Sequence, residues 1–348
     1  MKKLFLVVIA FLFAINFSSK AEDFSAVNNG GTIYYKITSN VYPYTASVTY
    51  KNGTQDSYSG NISIPDSVSY NGHYYKVTSI GDQAFLCCDA LFSIYIPKSV
   101  TSIGVQAFYQ CYSINSINIP NSVTSIGKLA FSQCVNLTSV TIPNSVTLIK
   151  EGSFMNCSKL GSITIPNSIT SIECNAFANC YELASIVIGS YVDSIGFWAF
   201  YNCRELTSIR CLATTPPVLG SEVFQNVDTT INLFVPTASI PLYQEAYGWE
   251  DFYNIHSLKL NDIASTKNVE VLIYPNPAKD MAKIEFDNLD SKANIIVLDI
   301  LGKEVKREVI AKGTKEIEIN VSNLPKGIYN ILIVNDTINQ IKKLVVSK

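Results

Sequence analysis

Ser79-Ile80-Gly81-Asp82-Gln83-Ala84-Phe85-Leu86-Cys87-Cys88-Asp89-Ala90-Leu91-Phe92-Ser93-Ile94-Tyr95-Ile96-Pro97 is the stretch that decides the fold. It returns at Ser102 to Pro120 and continues, with changes, to Cys211. Phe85, Phe108, Phe131, Phe154, Phe177 and Phe200 are spaced 23 apart, and so are Cys88, Cys111, Cys134, Cys157, Cys180 and Cys203. Ile80, Ile103, Ile126, Ile149, Ile172 and Ile195 keep the same step. A fixed period of this length is the mark of stacked repeats, each too small to bury its apolar face alone.

Within a unit, Ser93-Ile94-Tyr95-Ile96 alternates as a strand does. That predicts Ile94, Ile117, Val140, Ile163, Ile186 and Ile209 pointing inward. Pro97, Pro120, Pro143 and Pro166 close each strand, because proline donates no ladder bond. The segment Gly-x-x-Ala-Phe-x-x-Cys has apolar spacings of three and four, which predicts one short helical turn on the opposite side. The expected fold is a leucine-rich-repeat solenoid of 23-residue coils, each a strand plus a short helical turn.

These residues resemble the BspA-like leucine-rich repeat family of bacterial surface proteins over about Phe24 to Leu258. The Ile-Pro, Ala-Phe and Cys columns all recur in register. The resemblance implies an exported, non-catalytic, adhesin-like module that contacts a protein or glycan partner; the alternative is a polysaccharide-binding accessory protein. The chain departs from the family pattern at Lys150-Glu151-Gly152-Ser153, at Glu173-Cys174-Asn175 and at Gly189.

Outside the repeats, residues 1–21 open on Met-Lys-Lys, followed by an apolar run from Leu4 to Phe17 and Ser-Ser-Lys-Ala before a cleavage point after Ala21, the pattern of a signal peptide. The run is shorter than the roughly 20 residues a spanning helix needs. Residues 22–75 read as an N-terminal cap, with strands near Thr32–Ile37 and Ala46–Tyr50 and a hairpin turn at Asn71-Gly72. Residues 76–235 carry the repeats, 236–260 read as a C-terminal cap, and 261–269 read as a linker.

From residue 270 the period and the cysteines vanish. About seven short strands separated by turns predict a separate immunoglobulin-like β-sandwich. This part is similar to the type A C-terminal sorting domain of the type IX secretion system. The resemblance rests on Tyr274-Pro275-Asn276-Pro277, Asp299-x-x-Gly302-Lys303, Leu324-Pro325-x-Gly327-x-Tyr329 and Lys342-Lys343-Leu344-Val345. It implies handling by the type IX machinery, passage across the outer membrane, and a destination at the cell surface or outside the cell.

A net charge of −2 gives no reason to expect nucleic acid as a partner. The six column cysteines sit at buried positions and read as thiols rather than disulfides; Cys87, Cys174 and Cys211 lie outside the column. The two histidines, His73 and His256, stand one in each cap. Neither meets a phosphate loop, a metal-site spacing or a nucleophile motif, so no catalytic residue, cofactor or metal is expected. Asp287, Asn288 and Asp290 read as a solvated turn. What remains is surface: a strand row with Tyr95, Asn118, Thr141, Thr164, Val187 and Arg210, and aromatics on the other side at Tyr109, Tyr112, Tyr181, Trp198 and Tyr201. Exposed aromatics of this kind can stack on sugars or fill pockets of a partner.

Overall fold

The structure is a computed structural model, and it describes residues 22–28, 31–52, 54, 56–258, 271–286, 289, 292–299, 304–334 and 339–347. The signal-peptide and linker segments, Gly302, Lys303 and the turn at 287, 288 and 290 lie outside the described residues.

Two parallel ladders run along the repeats. The longer strands, such as Ser162–Ile165, Ser185–Ile188 and Ser208–Cys211, pair parallel and in register, residue on equivalent residue. The ladder continues through Asn232–Val235 to Asn254–Ser257. A second ladder is made by the two-residue Ser-Ile pairs, such as Ser102–Ile103 and Ser125–Ile126. The Ser-Ile-Gly words announced its positions, but two residues are too few to show alternation.

The expected helical turn is absent, and linked β-turns replace it. Gln83 and Cys87 have positive φ, as do Gln106 and Gln110, Asn175 and Asn179, and the equivalent pairs in the other coils. A helix would spend every N–H within its own coil. Here alternate N–H groups are spent between coils. Ala84, Leu86 and Cys88 donate to the carbonyl three residues back. Gln83, Phe85 and Cys87 instead donate to Val105, Ala107 and Tyr109 of the next coil at 2.9, 2.8 and 2.9 Å. Left-handed residues every four positions turn those groups toward the neighbour, and the apolar spacing of three and four is a by-product of the turns. Gln and Asn hold most of these positions, and Asn tolerates the left-handed region better than most residues. At the Lys150-Glu151-Gly152-Ser153 departure, Gly152 takes the left-handed place with φ +59°.

The core is a set of columns. Consecutive phenylalanine rings from Phe85 to Phe200 stack nearly parallel with centroids 5.0 to 5.4 Å apart, within the aromatic pairing range. Tyr58 covers the first ring at 4.5 Å, and Phe224 continues the column at 5.6 Å to meet Trp249 and Phe252. The column cysteines are buried and none is in a disulfide. Each thiol from Cys111 to Cys203 donates to the carbonyl of the preceding coil's phenylalanine, at 3.0 Å for Cys111 to Phe85 and 3.4 Å for Cys203 to Phe177. A small apolar group with a weak donor fits that position. Ahead of the column, Ser67–Tyr70 and His73–Ile80 pair antiparallel around the Asn71-Gly72 turn, and Thr45–Thr49 joins His73–Ile80 in parallel.

Both ladders are interrupted between Ser125 and Ser162, and the longer one also breaks between Leu91–Tyr95 and Ser116–Ile117. The short-strand sheet stops at Ser125–Ile126 and a new one begins at Leu148–Ile149. The longer ladder breaks between Ser139–Val140 and Ser162–Ile165. The glycine column is interrupted at the same seam: Gly104 and Gly127 are followed by Lys150 and Glu173 before Gly196 and Gly220 resume it. A Cβ on Gly127 would lie 2.4 Å from the Gly104 backbone, yet Glu173 over Lys150 makes the equivalent bond, its N–H donating to the Ile149 carbonyl at 2.8 Å. The turn side stays bonded across the seam, with Phe131 donating to Ser153 at 2.8 Å.

Beyond the linker the chain forms strands in two antiparallel sheets. One is Val271–Tyr274, Met281–Phe286 and Glu316–Asn320; the other orders Glu304–Ile310, Ala293–Leu298, Gly327–Val334 and Asn339–Val346. Both sheets supply one buried cluster that includes Ile284, Ile319, Ile295, Val297, Ile331 and Leu344.

Candidate functional site: repeat faces and sorting strands

The outer face of the longer ladder is set by strand alternation, which sends one residue in and the next out. Tyr95, Asn118, Thr141 and Thr164 are all exposed, and Tyr95 is 58% so. The row continues in register through Val187, Arg210, Phe234 and His256. The Arg210 guanidinium lies over the Phe234 ring at 5.4 Å, close enough for a cation–π contact. Its Nε is buried without a hydrogen-bond partner. The Phe234 and His256 rings are 5.7 Å apart, and His256 Nε2 is 3.1 Å from Asn232 Oδ1. The sequence reading carried the row as far as Arg210. It missed Phe234 and His256, because the spacing there changes from 23 to 24 and then 22.

The turn-side aromatics do not form one patch. Tyr109 and Tyr112 belong to one coil, while Tyr181, Trp198 and Tyr201 belong to coils nearer the C-terminal end. Tyr181 is 41% exposed and lies under Arg204 at 5.7 Å. The other four are half-buried. Trp198 stacks between Phe197 at 4.3 Å and Tyr201 at 5.1 Å and donates Nε1–H to Glu222 at 2.6 Å. Tyr109 accepts a hydrogen bond from Gln133 at 2.7 Å.

An amide ladder runs beside these rings and was not anticipated. Gln110 donates to Gln133 at 3.1 Å. Beyond the seam, Asn179 donates to Asn156, Asn202 to Asn179 and Asn226 to Asn202, each at 2.8 Å. The signal was present in the sequence as Gln or Asn two residues after the phenylalanines from Phe108 on.

Burial pushes the Cys134 and Cys203 thiols up to about 12 and Cys211 to about 11, the opposite of what an attacking thiolate needs. His73 lies tilted against Tyr44 at 4.4 Å, and Cys88 is buried in its column. Among the described residues no cluster of three or more His, Cys, Asp or Glu could hold a metal ion, and no helix is long and apolar enough to cross a membrane.

In the last segment, Tyr274 donates its hydroxyl to Glu285, and Lys283 bridges Glu285 at 3.5 Å and Glu316 at 2.6 Å. Tyr329 is buried and its hydroxyl donates to the Pro325 carbonyl at 2.8 Å. Gly327 pairs with Val346 at the end of the final hairpin. Asn276 reaches that hairpin from the other side, donating to the Lys343 carbonyl and accepting from the Val345 N–H. Pro275 and Pro277 flank it. Lys343 is exposed and Lys342 half-buried.

The profile of the BspA type Leucine rich repeat region matches in six copies, over residues 78–207 and 147–276, together more than half of the 348 residues. The chain belongs to this family. Its end, residues 272–347, matches the Secretion system C-terminal sorting domain. This BspA-type protein is therefore cargo of the type IX secretion system, carried across the outer membrane to the cell surface or the extracellular space. Among solved structures it is similar to a leucine-rich repeat protein of T. pallidum, at 27% identity and a TM-score of 0.50, covering 56% of this chain and 86% of that one. It is also similar to a leucine rich cell surface protein of Faecalibacterium prausnitzii, at 31% identity and a TM-score of 0.42, with 56% of each chain covered. A leucine-rich repeat protein from Bacteroides ovatus is 23% identical with a TM-score of 0.34, covering 65% and 75%. Among curated proteins no relative matches.

Proposed function

We propose that this is a non-catalytic, adhesin-like binding protein whose partner, a protein or glycan outside the cell, docks on the outer face of the longer ladder. The row from Tyr95 through Asn118, Thr141 and Thr164 to Arg210 and Phe234 is the docking face. In this reading residues 22–75 and 236–260 cap the solenoid, 1–21 are removed on export, 261–269 link, and 270–348 form an immunoglobulin-like sandwich that serves as the export address.

One observation carries the proposal. Arg210 is a cation on a face otherwise made of Ser, Thr, Asn, Val and aromatic side chains, with its guanidinium over the Phe234 ring. Arginine and aromatic groups are the residue types that anchor interfaces. The test is a binding screen of the exported protein against host matrix proteins and glycans, followed by Arg210→Ala and Phe234→Ala on any hit. Each substitution is expected to weaken binding by about tenfold or more, while Thr101→Ala on the other ladder leaves it unchanged. Hits that ignore both substitutions sink the docking face; turnover of a glycan or peptide by the purified protein sinks the non-catalytic reading.

A second reading, a polysaccharide-binding accessory protein, is favoured by the stacked Phe197, Trp198 and Tyr201 rings. It predicts that Trp198→Ala abolishes retention on a polysaccharide column. Tyr109, Tyr112 and Tyr181 are then secondary contacts.

A further inference from the structure

The last strand, Asn339–Val346, is an edge strand: one side pairs with Gly327–Val334 and the other has no full strand beside it. From Lys343 onward its outward main-chain groups are nonetheless occupied. Asn276 Nδ2 donates to the Lys343 carbonyl at 2.7 Å, and Asn276 Oδ1 accepts the Val345 N–H at 2.8 Å. Two residues later the main chain takes over. Ala278 N–H donates to the Val345 carbonyl at 2.8 Å, and the Ala278 carbonyl accepts the Ser347 N–H at 2.8 Å. Ala278 is fully buried and bridges Val346 in parallel sense.

The residue types follow from this geometry. Pro275 and Pro277 have no N–H, so the main chain there cannot donate to an edge. A carboxamide carries one acceptor and two donors, the same groups a peptide unit offers. Asn276 therefore supplies with its side chain the pairing its flanking prolines remove. Aspartate lacks the donor, and glutamine is one carbon longer. Without the clasp the edge would present unpaired main-chain groups.

We infer that Asn276 is a positioning residue of the export signal. The Tyr274-Pro275-Asn276-Pro277 segment acts on export by clasping the final strand, and so fixes how Lys342 and Lys343 are offered to the secretion machinery, rather than by being touched itself. The recognised unit joins segments 67 to 69 residues apart in sequence.

The test uses the full chain expressed in a cell that carries the type IX machinery, with Asn276→Ala, the milder Asn276→Asp, and Ile319→Val. Ile319 is buried in the same cluster but makes no part of the clasp. Export yield is read beside amide exchange at Val345 and thermal stability. Asn276→Ala is expected to raise exchange at Val345 roughly tenfold or more, the scale of one or two lost hydrogen bonds, and Asn276→Asp, which still accepts the Val345 N–H, by less. Both should lower export in proportion, while Ile319→Val loses stability and keeps export. Faster exchange with unchanged export overturns the inference. So does lost export with unchanged exchange, which would mean the motif is read directly. An equal export loss in Ile319→Val at matched stability also overturns it, since export would then follow stability alone.

Discussion

The repeats and the sorting strands solve the same problem by different rules. In the repeats, a side chain meets its own counterpart about 23 residues away: phenylalanine on phenylalanine, asparagine on asparagine, thiol on the carbonyl one coil back. In the sorting strands the decisive contacts join unlike residues far apart, as when Asn276 holds Lys343 and Val345. A one-dimensional stack spends its hydrogen bonds on nearest neighbours and fails locally. A unit of two antiparallel sheets around one cluster has no such repeat and depends on closure between its ends.

The largest expected effect comes from removing the centre of a column. Phe131→Ala should cost about 3–5 kcal/mol, as for other buried phenylalanines, and should melt the coils while the sorting strands keep their own transition. Denaturant unfolding followed by exchange in both regions checks this; a shared shift would break the contrast between the regions.

Alkali is expected to act next, and through the repeats where cysteines are concerned. The column thiols are neutral in the fold, with Cys134 and Cys203 pushed up to about 12 by burial, against 9.0 when unperturbed. The unfolded chain thus releases protons first, so this contribution is intact below pH 9 and is lost as pH rises toward 12. The denaturant midpoint of the repeats should fall over that range, and a Cys134→Ala, Cys203→Ala variant should fall less steeply. Thiol reagents near neutral pH should label the half-buried Cys87 and Cys174 well before the column.

Asn179→Ala removes two amide-ladder bonds and puts at φ +60° a residue that tolerates the left-handed region less well than asparagine. A loss of about 1–3 kcal/mol is expected. Asn179→Gly should recover the backbone part, and equal losses in both would assign the effect to the amides alone.

The smallest expected change is a gain. Lys150→Gly restores the glycine column at the seam, and slower amide exchange at Thr147 and Lys150's position would show the ladder closing. Recovered ladder bonds are worth about 0.5–1.5 kcal/mol each, offset by about 0.5–1 kcal/mol for the added glycine. An unchanged exchange pattern would place the cause of the seam elsewhere.

Much of the repeat architecture is legible without coordinates. Identical residues at one spacing can only stack in columns, so Phe131, Cys134 and Ile126 are readable as core and Thr141 and Thr164 as surface. The helical turn was misread for a physical reason: apolar spacing reports which side chains point inward, not which carbonyl each N–H chooses. A helix and a chain of left-handed turns share that spacing. The seam was visible as Lys150 standing in a glycine column, yet its consequence depends on how closely the coils approach. On the docking face, Arg210 was readable as an outward residue, but its stacking on Phe234 needed the register across a changed spacing.

The sequence alone determined that the coils stack, which residues form the columns, and that the chain carries an export address, because each of these is written in local words repeated or kept in order. Only the tertiary structure decided that alternate N–H groups of the turns bond to the next coil, that the short-strand ladder breaks before Leu148–Ile149, and that Asn276 closes the edge of the final strand. Those outcomes depend on partners brought together by the fold, and an N–H or a carboxamide carries no mark of its partner in the order of residues.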